Sequence, residues 1–505
     1  MERSRTFYAK KNIIFGFLGK LLVIALEFVS RAVFIQFLGE ELLGINGVFT
    51  NVIQILSLAE LGMANVVNFS FYKPLAENDH YRIAALIAFY RKVYNVIAAA
   101  VCVIGIALIP FLKYLINTDI DVPNLPVIYL IFLAETVFSY LFVYKASLMN
   151  AAQRGFVVAK YEMAITVLRT GLQMAAVALF RSIELYLIIR AVFSIGINWV
   201  VARRVDKDFP YVNQKSADLS KAEKKDIAEV IRSGFIYKIS GVLLNSTDNI
   251  LISMIVGTVM VGYLSNYLTI IAGIGSIYTI IFSNLTAGIG NLVSTENRER
   301  KLEVFNILIC ASAWMAIVFA ICFFGLSGEF VALWVGPRFV LDEASVLMKA
   351  LMLYVSCALQ PVFSFREALG LYRKTKYVML ASAALNIALS IVMGLAWGMA
   401  GILGASLISI LLTYLWYEPV LLYRDCFGTS AKPYFMERLK EIAALAVGLL
   451  GIRMLGSLWT ADSWLMWIVK GGVFFALTNV YCLLLFCRDP SFKELVHRVK
   501  ERLDR

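Results

Sequence analysis

The sequence predicts an all-α polytopic membrane protein of about fourteen transmembrane helices, built as two pseudo-symmetric six-helix bundles followed by two C-terminal helices. Three observations carry that expectation: the composition, the recurrence of long apolar segments, and an internal repeat. Of 505 residues, 60% are hydrophobic and only 16% are charged, a balance that no water-soluble domain of this size keeps in solution. A helix crosses the hydrocarbon core with roughly 20 mainly apolar residues. Segments of that kind recur from Asn12 almost to Cys487, so no stretch remains for a large soluble domain.

Hydropathy and breaker residues place the spans near 13–38, 45–71, 84–112, 125–149, 161–180, 183–201, 234–256, 261–291, 302–325, 344–371, 376–396, 400–423, 439–459 and 464–487. The first is too long for a signal core and carries Lys20, Glu27 and Arg31, so it is read as an uncleaved helix. With both termini in the cytoplasm, most of the 47 Lys and Arg residues fall on inside segments, and the outside loops hold Lys113, Arg181, Arg338 and Arg453. That is the positive-inside rule, and one missed or invented span would reverse it downstream. The net charge of +12 therefore has its origin in topology rather than in nucleic-acid binding. Seven cysteines without Cys-x-x-Cys spacing and two histidines in inside segments give no metal centre or disulfide framework. No phosphate-cradling Gly-rich loop with a following Lys-Ser/Thr occurs, and no cofactor is expected.

The expected organisation is an N-terminal bundle over 1–202, a cytoplasmic linker with an amphipathic helix over 203–233, a second bundle over 234–423, two further spans over 424–487 and a basic tail over 488–505. The linker reads DLSKAEKKDIAEVIRSG, with a Ser and an acid ahead of a helical run. An offset of 218 aligns the first and seventh helices without a gap: Gly16 with Gly234, Phe17 with Phe235, Lys20 with Lys238, Gly39 with Gly257, Gly44 with Gly262. The same offset sets Glu27 against Asn245 and Arg31 against Asn249, so each helix carries a polar stripe on one face. Two odd-numbered helices entering from the same side imply a parallel six-plus-six repeat. Substrate sites of such repeats lie at their interface near mid-membrane.

The stretch RAVFIQFLGEELLGINGVFTNVIQILSLAELGMANVVNFSFYKPLAEND resembles the opening two helices of the polysaccharide transporter family, flippases for lipid-linked capsule, O-antigen or exopolysaccharide repeat units. That family belongs to the multidrug/oligosaccharidyl-lipid/polysaccharide exporter superfamily. The resemblance continues in FYRKVYN and in STDNILISMIVGTVMVGYLSNY. It implies two facing six-helix bundles, usually with two more helices, working by alternating access without nucleotide in a bacterial inner membrane. It also implies a lipid-linked oligosaccharide as substrate, with membrane lipids, a polysaccharide polymerase and glycosyltransferases as partners. It supplies no fixed catalytic motif.

A charge at mid-membrane costs about 2.5 to 3.5 kcal/mol even on insertion scales, so each needs a partner, a watery cavity or a route to the interface. Lys145, Lys349 and Lys470 lie near helix ends and are expected to snorkel. Glu27, Arg31, Glu60, Glu135, Arg169, Arg190 and Asp248 lie deeper. The substrate-binding candidates are Arg31, Lys20, Lys238, Arg169 and Arg190, because an Arg fork suits phosphate oxygens. Against that reading, Arg31 pairs with Glu27 at i, i+4, and Arg169 and Arg190 pair with Glu135 or backbone carbonyls. Asp248 between Asn245 and Asn249, with Glu27, Glu60 and Glu135, is the candidate set for a coupling ion, H⁺ or Na⁺; interhelical hydrogen bonding is the alternative. Gln360-Pro361 is expected to kink the tenth helix.

The primary functional expectation is a flippase for a polyprenyl-diphosphate-linked oligosaccharide, which is a transporter and not an enzyme. The alternatives are a cation-coupled multidrug exporter, whose cavity should be acidic, and a membrane-embedded glycosyltransferase, polymerase or ligase, which should carry a sizeable outside loop. The segment from Ser327 to Ala344 is short for that purpose. A scaffold for sugar-assembly enzymes is the remaining alternative.

Overall fold

Several helices in this chain begin at a short polar side chain that caps the first turn. A computed structural model describes residues 5–57, 63–118, 122, 124–152, 154–214 and 219–503. In it, Asp79, Ser182, Asn297, Asp342 and Ser463 each accept a hydrogen bond from the backbone N–H three residues on, at 2.9 to 3.3 Å. Each such cap satisfies an orphan N–H of a helix start. Ser220 and Glu223 close a reciprocal capping box.

The helices longer than one α-turn are α1 Arg5–Leu38, α2 Glu40–Leu56, α3 Met63–Ala76, α4 His80–Ala107, α5 Leu125–Val143, α6 Ala146–Ala151, α7 Gly155–Phe180, α8 Ile183–Asp208, α9 Lys221–Ile255, α10 Thr258–Thr295, α11 Arg298–Val335, α12 Glu343–Ala358, α13 Gln360–Ala368, α14 Tyr372–Leu412, α15 Tyr414–Leu422, α16 Lys432–Leu458, α17 Trp464–Phe486 and α18 Pro490–Leu503. No strand occurs among the described residues. Ten of the described segments are long and apolar enough to cross a membrane. One of them, Lys374–Phe427, contains a reversal. There Trp397 and Gly398 leave helical geometry, Gly398 at φ +58, and a Cβ on Gly401 would overlap the Met393 carbonyl oxygen. Asn386 Nδ2 donates to Ser406 Oγ at 2.8 Å across the resulting hairpin. This segment therefore makes two crossings, as expected from 376–396 and 400–423. The tenth span is interrupted at Leu359, with Pro361 in the first turn of α13. The amphipathic run after Ser220 joins the seventh span in one continuous helix, α9.

Residues Met1–Gly262 and Tyr263–Arg505 form two compact units. In the first unit α1 packs on α7, α8 on α5 and α7, α4 on α5, and α9 on α2. In the second, α11 is the central element and packs on α12, α16, α17 and α18. Large apolar side chains point outward along α16 and α17, among them Leu450, Leu458, Leu465 and Leu484. Contiguous exposed apolar surface of that kind is what a bilayer covers.

Two glycines of the aligned repeat share an unusual backbone: Gly39 before α2 has φ +88 and Gly257 before α10 has φ +134. Both allow a sharp helix-to-helix turn that a side chain would strain. Gly44 and Gly262 share a close approach. A Cβ on Gly44 would overlap the Thr258 carbonyl oxygen, and one on Gly262 would lie 2.9 Å from the Glu40 carbonyl oxygen. Shifting by 218 residues turns the first contact into the second, so the start of α2 and the start of α10 meet in a self-complementary crossing.

Two expectations about lysines are corrected here. Lys145 does not snorkel, because its Nζ donates to Asp206 Oδ1 at 2.6 Å. Lys470 is 1% exposed and donates to Glu329 Oε1 and to the Trp459 carbonyl, both at 2.6 Å. A nearby acid offers each ammonium a shorter route to compensation than the interface does.

Candidate functional site

The charged and amide groups singled out in the sequence lie mostly in the first unit, carried by otherwise apolar helices. α2 places Asn46, Thr50 and Gln54 four residues apart, on one face. Arg190 of α8 reaches this helix and α5 at once. Its Nε donates to Glu135 Oε2 at 2.8 Å, its Nη1 donates to Asn46 Oδ1 at 3.3 Å, and its guanidinium lies 4.0 Å from the Phe132 ring centroid. The pairing weighed for Arg190 and Glu135 is thus present. Both side chains are half-buried, so the pair retains access to its surroundings.

Asp248 and Asn249 on α9 are buried. Beside them, the Ser246 hydroxyl donates to Gln54 Oε1 at 3.0 Å, which ties α9 to α2. Uncharged seams of this type hold membrane helices together by hydrogen bonds that lipid cannot replace.

Arg31 of α1 is half-buried, within electrostatic reach of Tyr186 first and Glu27 second, and Glu27 itself is exposed. Tyr186 sits edge-on to Phe34 at 5.1 Å, and its carbonyl accepts from Gln173 Nε2 at 3.1 Å. Arg169, one turn before Gln173 on α7, is half-buried, and its Nε is covered and without a hydrogen-bond partner among the described residues. A covered guanidinium N–H without an acceptor carries a desolvation cost of about 1–3 kcal/mol or more. The side chains of Lys20, Lys238 and Asn245, and the whole of Glu60, lie outside the described residues.

Asn46, Gln54, Ser246 and Tyr186 were not singled out in the sequence. The four-residue spacing of Asn46, Thr50 and Gln54 was the available signal. The second unit holds ion pairs that were also missed. Arg366 Nη1 donates to Glu418 Oε1 at 2.6 Å, and Arg438 pairs with Glu441, whose Oε2 accepts from the Tyr354 hydroxyl at 3.2 Å. For Arg438 and Glu441 the i, i+3 spacing on α16 was the signal.

The first unit thus carries Arg169 on α7, Arg31 on the helix packed against it, and a hydrogen-bonded polar seam between α2 and α9. No protein-family model matches the chain, and no curated protein matches it in sequence. Solved structures do match. The lipid II flippase MurJ, in an inward closed conformation, aligns with a TM-score of 0.67 at 13% identity, over 94% of this chain and 98% of that one. An inward-facing multidrug resistance MATE family transporter of the MOP superfamily aligns at 0.60 and 13%, over 86% and 94%. A Vibrio cholerae MATE transporter aligns at 0.59 and 14%, over 84% and 99%. At such identities the likeness is one of fold: this chain has the multi-pass all-α fold that MurJ and the MATE transporters share.

Proposed function

We propose that this chain, with the fold of a lipid II flippase and of the MATE transporters, is a flippase that carries a polyprenyl-diphosphate-linked oligosaccharide from the cytoplasmic to the outer leaflet. The cell-surface polysaccharide precursor, the bacterial inner membrane and the cytoplasmic termini belong to this proposal, as do a polymerase and glycosyltransferases as partners. So does a six-plus-six bundle arrangement with an appended pair of spans. The observation that carries it is Arg169, whose covered Nε has no hydrogen-bond partner among the described residues, on the helix that packs against the one bearing Arg31. A diphosphate supplies acceptor oxygens in the paired geometry that guanidinium forks match. MurJ, which the chain covers almost from end to end, is itself named a lipid II flippase. Arg190, held by Glu135 and Asn46, serves in this reading as a wall of the site rather than as the first contact.

The buried Asp248 favours a second reading, cation-coupled drug export, because a buried carboxylate beside an amide suits a cation. In the flippase reading the same residue holds the coupling ion, H⁺ or Na⁺.

Arg31 separates substrate binding from internal neutralisation. Export of the sugar polymer, normalised to inserted protein, is expected to vanish in Arg31→Ala and to return in part in Arg31→Lys, where the charge remains without the fork. If Arg31 serves only to neutralise Glu27, the double variant Arg31→Ala with Glu27→Gln recovers both stability and export, and the substrate role is lost.

A further inference from the structure

The second unit contains a cavity of about 410 Å³ whose wall includes the Arg438–Glu441 pair. It lies at the starts of α11 and α16 and at the end of α17, closed on one side by Asp489 and Ser491 at the start of α18. Three acids line it, and they differ in exposure. Glu437 is exposed over about half of its side chain and pairs with Lys440 at 2.7 Å; Asp489 is half-buried and accepts the Ser491 N–H at 2.7 Å; Glu441 is buried. The other buried acid pairs of this unit, Glu418 with Arg366 and Glu329 with Lys470, are not part of this wall.

We propose that Glu441 is a proton-binding site filled from this cavity, and that the proton it takes up is the coupling ion of the second unit. A cavity of this size with several polar partners has room for the water that delivers a proton. The Glu441 carboxylate is held by Arg438 on its own helix and by the Tyr354 hydroxyl on α12. On loading, hydronium in the cavity water gives one proton to a carboxylate oxygen: an O–H bond of the hydronium breaks, the carboxyl O–H forms, neutral water is left, and nothing is oxidised or reduced. The cavity wall then gains one positive charge, because Arg438 loses its counter-ion.

The surroundings of Arg438 fit that change. Its Nε and Nη1 are buried without a hydrogen-bond partner among the described residues, so the carboxylate satisfies only part of the guanidinium. The Tyr434 ring lies 5.3 Å from its centre and stabilises the cation whether or not Glu441 is charged. The remaining titratable groups facing the pair are Cys310 of α11, Tyr423 of the turn after α15, and Tyr278 of α10. Tyr278, within electrostatic reach of Arg438, shares its hydroxyl with Ser312 and donates to the Cys357 carbonyl at 2.7 Å. Protonation turns the charge-assisted hydrogen bond from Tyr354 of α12 to Glu441 of α16 into a neutral one, and so changes a tie between two membrane helices.

The use of this proton for coupling rests on the transporter reading above; its binding to Glu441 does not. The test therefore uses the purified full chain in nanodiscs without substrate. Infrared difference spectra between alkaline and acidic buffer are expected to show a protonated-carboxyl band that is lost in Glu441→Gln and kept in Glu437→Gln. Proton uptake read with a pH-sensitive dye is expected to fall by one per chain in Glu441→Gln. Should Glu441→Gln fail to fold, Tyr354→Phe keeps the carboxyl and is expected to shift the midpoint of the band. A spectrum unchanged in Glu441→Gln, or a midpoint unmoved in Tyr354→Phe, overturns the proposal. Loss of flipping in liposomes with the band intact counts against the transporter reading alone.

Discussion

Charge ties one membrane helix to another in both units, but the ties are made differently. In the first unit the fourth span breaks between α5 and α6, and Lys145 at the break bonds Asp206 of α8, with side chains 13% and 26% exposed. A second pair, Arg190–Glu135, joins the same two spans at greater depth. In the second unit the tenth span breaks between α12 and α13, and Arg366 bonds Glu418 of α15, with side chains only 3% and 1% exposed. The Arg366 guanidinium also lies 4.6 Å from the Phe363 ring. The first unit thus holds two accessible pairs and the second a sealed one. A sealed pair is a fixed strut. Accessible pairs can exchange partners.

The largest effect that could break this comparison is at the sealed pair. Arg366→Ala is expected to lower unfolding stability by about 3–5 kcal/mol, because it strands a buried carboxylate. Lys145→Ala is expected to cost on the order of 1 kcal/mol, since its pair keeps part of its hydration. Equilibrium unfolding in detergent measures both. Similar losses for the two variants would mean that exposure does not distinguish the units. Replacing Arg366 and Glu418 together by Met and Leu should recover most of the loss, because the buried charges are then removed as a pair.

An intermediate effect belongs to the crossing of Gly44 and Gly262. Either glycine changed to Val is expected to cost about 1–3 kcal/mol, since the added side chain meets backbone that cannot rotate away. The same changes at Gly171 or Gly241, where a Cβ meets nothing within 4 Å, serve as controls. Equal losses at all four sites would remove the self-complementary contact from the account.

The smallest effect is at the exposed start of α9. Ser220→Ala removes the capping box and should cost about 1 kcal/mol. The Glu223 carboxyl is held below its usual range, first by the Ser220 side-chain and backbone hydrogen bonds and then by Arg82. A depressed carboxyl stabilises the fold above its unfolded pKa and loses that contribution as pH falls through its folded value. The difference between wild type and Ser220→Ala is therefore expected to shrink on acidification below the ordinary carboxylate range. A difference that grows there would contradict the capping role.

Much of the fold was legible in the sequence because the signals are one-dimensional. Apolar length sets the spans, the Trp397–Gly398 reversal falls between two expected spans, and the Gly39 and Gly257 turns stand at the offset read from the repeat. The candidate site was legible only as alternatives. Arg190 and Glu135 could be placed at compatible depth, but their bond depends on how α5 and α8 rotate against each other. Asn46 and Gln54 escaped notice because uncharged residues are inexpensive in a span. Arg366, Glu418, Arg438 and Glu441 escaped because the expected span ends put them near the interface, whereas neighbouring segments cover them.

The central claim is that the substrate is a lipid-linked diphosphate. The direct measurement is reconstitution of the purified chain in liposomes with two probes, a fluorescent polyprenyl-diphosphate oligosaccharide and a lipophilic dye cation, each followed across the bilayer with and without an imposed ion gradient. The account predicts that the diphosphate probe changes leaflet, that Arg169→Gln slows it by at least about tenfold, the loss of one charge-assisted hydrogen bond, and that the dye is not exported. Gradient-driven export of the dye, with the diphosphate probe left in its original leaflet, would contradict it.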